Sequence, residues 1–242
     1  MNNNAPRAWG HGLPRTVGRA YAERVAPSRS EVAYRQIKEM IVTLKLPPAS
    51  IINEATLMEQ LKLGRTPIRE ALQRLSWEDL VVILPRRGIF VAEINQDDLT
   101  HIYEIRRETE GFAARLAAER ATAEQLDGLH RMLIESSELL ASGENLLLIQ
   151  LDREFHKRIA QASHNPFLID ILDRLYSLSL RLWYASLGSV DRLREAVAEH
   201  WSIHEALAAR DSERAEALMA EHVVGFQEQM QQVLNPAVQR VP

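Results

Sequence analysis

The stretch that most constrains the fold is residues 61–75, LKLGRTPIREALQRL, where apolar and basic residues fall on different sides of one short helix. On a helical wheel the apolar side groups Ile68, Ala71, Leu72 and Leu75. A neighbouring side groups Arg65, Thr66, Arg69 and Gln73. Pro67 suits the first turn, where its missing N–H costs nothing, so the pattern predicts a helix beginning here. Either Gly64 or Thr66 fits as its N-cap.

The basic side of this helix has the chemistry of a DNA-reading surface. Arg65 and Arg69 are four residues apart, beside Thr66 at a helix N-terminus. Such a surface can contact a phosphate backbone and offer paired donors to guanine edges. An isolated pair of arginines at this spacing is more often a solvated face of an ordinary helix. The neighbouring sequence therefore decides between the two interpretations.

Two further helices are predicted on the N-terminal side of this stretch. Ser28 and Glu31 have capping-box spacing at the start of an apolar pattern over about 30–45. Asn53 can cap a second helix over about 54–62. Two short helices, a tight turn and a basic amphipathic helix are the pattern of a helix-turn-helix.

A strand-like pattern follows the basic helix. The segments LVVIL and IFVAEI flank PRRG, which predicts a two-stranded hairpin. Arg86 and Arg87 would lie at its tip, and Gly88 allows the turn. A hairpin directly after a basic third helix indicates a winged helix-turn-helix, with the hairpin as the wing.

The remainder of the chain is predicted to be helical, because no strand-like alternation of any length follows Asn95. Helices are expected over about 97–120, 122–142, 144–163, 166–187, 190–209 and 212–233. Their short connections indicate an antiparallel bundle. The predicted fold class is therefore mainly α, an N-terminal winged helix-turn-helix followed by an all-helical bundle. The predicted division is a mobile tail (1–27), a DNA-binding domain (28–93), a linker (94–98), an effector-binding and dimerisation domain (99–234) and a tail (235–242).

Charge is distributed unevenly along the chain. The net charge is -4, but residues 1–29 carry five Arg and one acidic residue, and residues 30–92 carry nine basic and seven acidic residues. Residues 93–242 carry 15 basic and 25 acidic residues. A basic N-terminal part that can approach phosphates and an acidic part with another role are therefore expected.

Two stretches of the chain resemble known domains. Residues 46–92 resemble the DNA-binding domain of the GntR family of bacterial transcription regulators, whose recognition-helix motif stands here as GRTPIREAL. The helical part resembles the FCD effector domain of the FadR-like branch, through IYEIRRETEGFAARLAAERA, LDREFHKRIAQASHNPFL and EHWSIHEALAARDSERAEALMAEH. The resemblance implies that Arg65, Thr66 and Arg69 face DNA and that Gly88 marks the wing. We accordingly expect a ligand-responsive regulator, a repressor that binds a two-fold double-stranded operator as a homodimer.

The helical part also contains candidate metal ligands. Asp152 and His156 are four residues apart on an inward-facing side of one helix, and His200 and His222 lie on the last two predicted helices. From spacing alone, four separately hydrogen-bonded or exposed residues are the simpler interpretation. The FCD resemblance implies instead that all four bind one divalent metal ion. Zinc is favoured for such ligands, with nickel or another transition metal as alternatives.

An effector site is expected beside that metal. The resemblance directs Arg106 into the ligand cavity, where its paired donors would suit a small carboxylate-containing metabolite. A salt bridge from Arg106 to Glu110, four residues further along the helix, is an equally good interpretation. His204 shares a helix face with His200 and is expected near the pocket or behind the metal ligands.

Composition excludes several function classes. The chain has no cysteine, which excludes disulfides, cysteine-ligated zinc and thiol catalysis. No apolar run approaches the roughly 18 residues of a membrane span, so we expect no membrane partner and a cytoplasmic location. We expect no enzyme, because Trp201 in HWSIH replaces the glutamate of a zinc-protease motif. A structural zinc module and a metalloenzyme remain the alternatives to a metal-dependent sensor.

Overall fold

The structure is a computed structural model that describes residues 26–186 and 190–234. The DNA-binding part contains α1 (Arg29–Val42), α2 (Glu54–Leu61), α3 (Arg65–Trp77), β1 (Val81–Leu84) and β2 (Gly88–Val91). The helical part contains α4 (Gln96–Arg120), α5 (Ala123–Ser142), α6 (Asn145–Ala162), α7 (Pro166–Ser186), α8 (Val190–Ala208) and α9 (Ser212–Leu234). The predicted fold class is confirmed. The predicted tails lie outside the described residues, apart from residues 26 and 27.

The caps of the first three helices follow the sequence closely. Ser28 accepts a hydrogen bond from the Glu31 amide, and Asn53 accepts from the first turn of α2. The reciprocal half of the predicted capping box does not form, because the Glu31 carboxylate pairs instead with Arg35 and Arg74, at 2.7 Å each. Gly64, and not Thr66, is the N-cap of α3, so no side chain of the N-cap residue accepts a hydrogen bond from the first turn.

The apolar side of α3 forms the core of the DNA-binding part. The four residues predicted to face inward are all buried: Ile68, Ala71, Leu72 and Leu75. They pack against Ala33, Ile37 and Ile41 of α1. Burying this side leaves the neighbouring, basic side of α3 on the surface.

The predicted wing is present as a short antiparallel hairpin. Val81 pairs with Val91 and Leu84 with Gly88, so both strands are shorter than the apolar segments suggested. Arg86 at the tip has a φ of 62° and Gly88 has a φ of 118°. Residues with a side chain rarely adopt a φ as large as that of Gly88, which explains a glycine at this position of the hairpin.

The helical part forms a second, larger core. α4 packs along α9, and α6 contacts α4, α5 and α7. Phe155 and Leu133 are buried within it. The predicted capping box of Thr122 and Gln125 is present at the start of α5. No helix in the described part of the chain is long and apolar enough to cross a membrane.

Charged contacts attach the DNA-binding part to α6 and α7. The Lys38 ammonium is 2.9 Å from Glu78, directly after α3, and 2.7 Å from Asp173 on α7. Lys38 itself is only 5% exposed, so this cation is shared between the two parts. Arg153 of α6 pairs with Glu39 of α1 at 2.8 Å. The end of the basic helix is therefore connected to the helical domain by an ion cluster as well as by the chain.

Candidate DNA-binding surface and metal centre

The basic side of α3 is available to a partner. Arg65, Thr66, Arg69 and Gln73 are all exposed. Arg69 Nε is 2.9 Å from Glu54 Oε1 at the start of α2, with 63% of the arginine side chain exposed. Glu54 thus orients a guanidinium that is still open to solvent. The sequence motifs gave no indication of this pairing, because the two residues are far apart in the chain and meet only when α2 packs on α3.

The wing presents a second basic surface. Arg86, Arg87 and Gly88 are exposed at the hairpin tip. The Arg87 amide donates to the Leu84 carbonyl at 3.1 Å, which closes the turn. Two guanidinium groups on a tight, hydrogen-bonded turn can approach a phosphate backbone at low conformational cost.

The four predicted metal ligands meet in the centre of the helical bundle. Asp152 and His156 come from α6, His200 from α8 and His222 from α9, and one ligand atom of each lies within 4.8 Å of the others. All four residues are at most 7% exposed. The Nε2 atom of His222 is 3.1 Å from that of His156 and 3.3 Å from that of His200. Asp152 Oδ1 is 3.4 Å from His200 Nε2.

Carboxylates behind His156 and His222 determine which nitrogen of each ring faces the centre of the cluster. His156 Nδ1 contacts Glu110, and His222 Nδ1 lies 2.5 Å from Glu199. A ring that donates its Nδ1–H to a carboxylate presents a lone pair at Nε2. Asp152 Oδ1 is buried without a hydrogen-bond partner. Lone pairs that converge on an unpartnered carboxylate oxygen fit a divalent cation, and imidazole and carboxylate are ligands that transition metals accept.

Further residues hold the ligand set in place. The Tyr176 hydroxyl donates to the other oxygen of Asp152. Phe155 stacks on His200 with ring centroids 3.9 Å apart. Arg192 donates two hydrogen bonds to Glu199, at 2.7 and 2.8 Å. Tyr176, Arg192 and Glu199 were not among the predicted site residues, although the position of Glu199 directly before His200 is a signal for it in the sequence.

Two of the histidines at this centre, His200 and His222, favour the neutral imidazole. Burial lowers the pKa of His200 and also that of His222. Burial acts to raise the pKa of Glu199, but hydrogen bonds from His222 and Arg192 outweigh it and lower the value to about 2. An ionised carboxylate behind a neutral ring, as Glu199 lies behind His222, is the arrangement in which histidine binds a metal most readily.

The predicted effector residues lie in different places. Arg106 lines a cavity of about 10 Å³ together with Asp152, His156 and His222. Its Nε donates to Glu110 at 2.6 Å and its Nη1 to Ser179 at 2.8 Å, so the predicted salt bridge is present. A cavity of that volume holds about one water molecule or ion. A carboxylate ligand would therefore need the surrounding side chains to move apart.

His204 does not line this cavity. Its Nε2 lies 3.2 Å from the Leu126 carbonyl, and its ring centroid is 5.4 Å from that of His130. Four residues advance an α-helix by slightly more than one turn, so His204 is rotated from His200 towards α5. The structure thus gives His204 a packing contact, and its predicted proximity to an effector has no support in these contacts.

Fold and site together define a winged-helix DNA-binding protein fused to a helical domain with a buried Asp/His₃ cluster. Residues 29–91 match the family model of bacterial regulatory proteins of the gntR family, and residues 101–225 match the FCD domain. The chain belongs to the GntR family of transcription regulators and carries an FCD effector domain.

Individual relatives cover most of the chain. The Nta operon transcriptional regulator of Aminobacter aminovorans is 31% identical over 204 residues, which are 84% of this chain and 94% of the relative. The HTH-type transcriptional repressor GlaR of Escherichia coli is 28% identical over 199 residues, covering 79% and 90% of the two chains. The solved structure of E. coli McbR/YncC matches with a TM-score of 0.78 and 26% identity, covering 87% of this chain and 100% of that one.

Proposed function

We propose that the protein is a repressor that binds a two-fold operator as a homodimer and releases it in response to a small carboxylate-containing metabolite. The observation that carries the DNA-binding role is the exposed set Arg65, Thr66, Arg69 and Gln73 on a helix whose apolar side is buried. A relative named as a repressor supports repression as the direction of control. Such a protein acts where the chromosome is, in the cytoplasm.

The dimer follows from the size of a winged helix. One α3 spans a single half-site, so two copies are needed for a specific operator of ordinary length. We expect the helical domain to supply most of the interface. A fragment of residues 95–242 should sediment as a dimer at micromolar concentration, and the whole chain likewise. A fragment that stays monomeric would contradict this assignment.

We further propose that Asp152, His156, His200 and His222 hold one divalent transition metal, zinc by preference, with nickel or another ion possible. The unpartnered Asp152 oxygen and the convergent Nε2 atoms support this assignment. A bound ion would supply a positive centre for a carboxylate oxygen. The protein's own residues would supply orientation, since Glu110 and Glu199 fix two rings and Tyr176 fixes the aspartate.

Arg106 would connect the effector to the DNA-binding part. It lies on α4, which follows the linker from the wing, and it shares Glu110 with His156. An effector that drew Arg106 away from Glu110 would change the contacts of both α4 and His156. A ligand alters operator affinity only if it binds the two arrangements unequally. We therefore expect an inducing acid to bind more tightly to the free dimer than to the operator complex.

A structural metal without a sensing role is the second candidate, and the small size of the cavity favours it. An operator-binding assay with the metal-loaded protein and a panel of short mono- and dicarboxylic acids separates the two. Metal-dependent sensing predicts that at least one acid lowers operator affinity by about tenfold or more. No response to any acid would favour the structural role.

In the wing, Arg86→Ala is expected to weaken binding to all DNA sequences by a similar factor. An exposed arginine at a hairpin tip is suited to a phosphate, and removing one phosphate contact should reduce the slope of log affinity against log salt by about 1. Fluorescence anisotropy at four salt concentrations, with specific and random duplexes, measures both slopes. A loss confined to the specific duplex would show that Arg86 reads bases instead.

A further inference from the structure

Two buried arginines of the helical domain differ in how they are paired. Arg106 is 4% exposed and contacts both Glu110 and Ser179. Arg181 on α7 is 2% exposed, and its Nη2 donates to the Ala92 carbonyl, which is its one hydrogen bond within the described residues. Its Nε has no partner. No carboxylate in the described part of the chain forms a salt bridge with it.

An unpaired buried cation is costly, because the charge has lost water without gaining an anion. Burial alone lowers the pKa of Arg181 to about 10, and no neighbouring carboxylate offsets it. The chain would be more stable with an apolar residue here unless something else supplies the negative charge. The position therefore indicates an anionic partner that is not one of the described side chains.

Arg181 lines a groove of about 800 Å³ between the two parts of the protein. Most of the groove wall is apolar and comes from β1, the linker, α4 and α7, for example Val82, Ile102, Ile171 and Leu178. Its volume is in the range of small-molecule sites, which combine apolar walls with a few fixed polar groups. Arg174 also lines the groove but is paired with Asp79.

We propose that this groove binds an amphipathic carboxylate, with its apolar body against the groove walls and its carboxylate on the Arg181 guanidinium. The other acidic residues along the groove, Glu93 and Asp98, are exposed, so water and salt weaken their repulsion of such a ligand. The site is distinct from the metal centre and needs no metal.

A ligand bound to Arg181 would also affect the contact between α7 and the wing. Ala92, whose carbonyl accepts the Arg181 hydrogen bond, directly follows β2, and its amide donates to Leu80 at 3.0 Å. A carboxylate on the guanidinium would compete with that carbonyl. Occupation of the groove would thereby loosen the attachment of the wing to α7.

The test is calorimetric titration of the whole chain, once with and once without chelator, using sodium octanoate and its neutral counterpart octanamide. We expect octanoate to bind at least about tenfold more tightly than octanamide, the ratio for a charge-assisted hydrogen bond. Arg181→Met should lower the affinity for octanoate by about tenfold or more. Arg174→Met, on the same helix and groove, should change it by less than about threefold, because that arginine is exposed and already paired.

Arg181→Met also removes the hydrogen bond to the Ala92 carbonyl, so a second change tests the groove without altering that contact. Val82 is 42% exposed on β1 and lines the groove, so Val82→Trp should fill part of the groove and weaken octanoate binding, while Val82→Thr, which keeps the size of the side chain, should not. Absence of octanoate binding to the wild type at about 10 mM would overturn the proposal, as would equal binding of octanamide. Octanoate binding that occurs only without chelator would place the carboxylate on the metal, overturning the groove site while leaving the metal centre intact.

Discussion

Replacing His156 with alanine is expected to remove the bound metal while leaving operator binding largely intact. Loss of one imidazole leaves three ligands around the cavity, and even a residue behind a ligand is worth about 10–100-fold in metal affinity. His156 lies in the bundle and not on the exposed side of α3, so the DNA-reading residues are undisturbed. If the metal belongs to the sensor, the variant should also lose its response to effector.

His204→Ala is the matched control for this change. This substitution also removes a histidine side chain from the bundle, but His204 contacts Leu126 and His130 and not the four candidate ligands. The two purified variants are compared by their metal content, which mass spectrometry measures. Circular dichroism checks that both are folded. Equal metal content in His156→Ala and His204→Ala would contradict the ligand assignment. Release of DNA by His156→Ala at the wild-type effector concentration would exclude the metal from sensing.

Replacing Arg69 with alanine is expected to abolish specific operator binding without changing the fold or the dimer. The side chain is exposed, and its contact with Glu54 lies at the surface, so little folding energy depends on it. Loss of a paired contact to a base edge should weaken binding about 5- to 150-fold for each half-site, and the two losses multiply in a homodimer, with a much smaller effect on random DNA.

Lys45→Ala controls for the lost charge. Lys45 is an exposed basic residue of the same part of the chain but lies in the connection between α1 and α2 and not on α3. It should reduce affinity for operator and random DNA by similar, small factors. Arg69→Ala with unchanged operator affinity at fixed salt would show that α3 does not read the sequence through this residue.

Local patterns predicted most of the fold. The buried side of α3, the wing and the capping box at Thr122 depend on residues close together in the chain, where helical and strand periodicity apply directly. One local detail differed, because the Glu31 carboxylate pairs with Arg35 and Arg74 and does not complete the predicted capping box.

The candidate metal site was only partly predictable, because its parts come from three helices. Asp152 and His156 are neighbours on α6, but nothing in the spacing of His200 and His222 brings them there, and only a family resemblance grouped all four. Glu199 and Tyr176 join the site through helix packing, which sequence periodicity does not describe. Arg181 has no carboxylate partner because tertiary packing places none of the described acidic residues beside it, and no local sequence pattern predicts that.

The most direct test of a homodimeric operator-binding regulator is a DNA selection. The purified, metal-loaded protein selects fragments from a pool of sheared genomic DNA. After sequencing, we expect enrichment of an inverted repeat whose two half-sites lie about one helical turn apart, or a multiple of it, as two copies of α3 related by two-fold symmetry require. The same selection with Arg69→Ala should show no such enrichment. Fragments indistinguishable from the input, or a single unrepeated site bound by a monomer, would contradict a homodimeric operator-binding regulator.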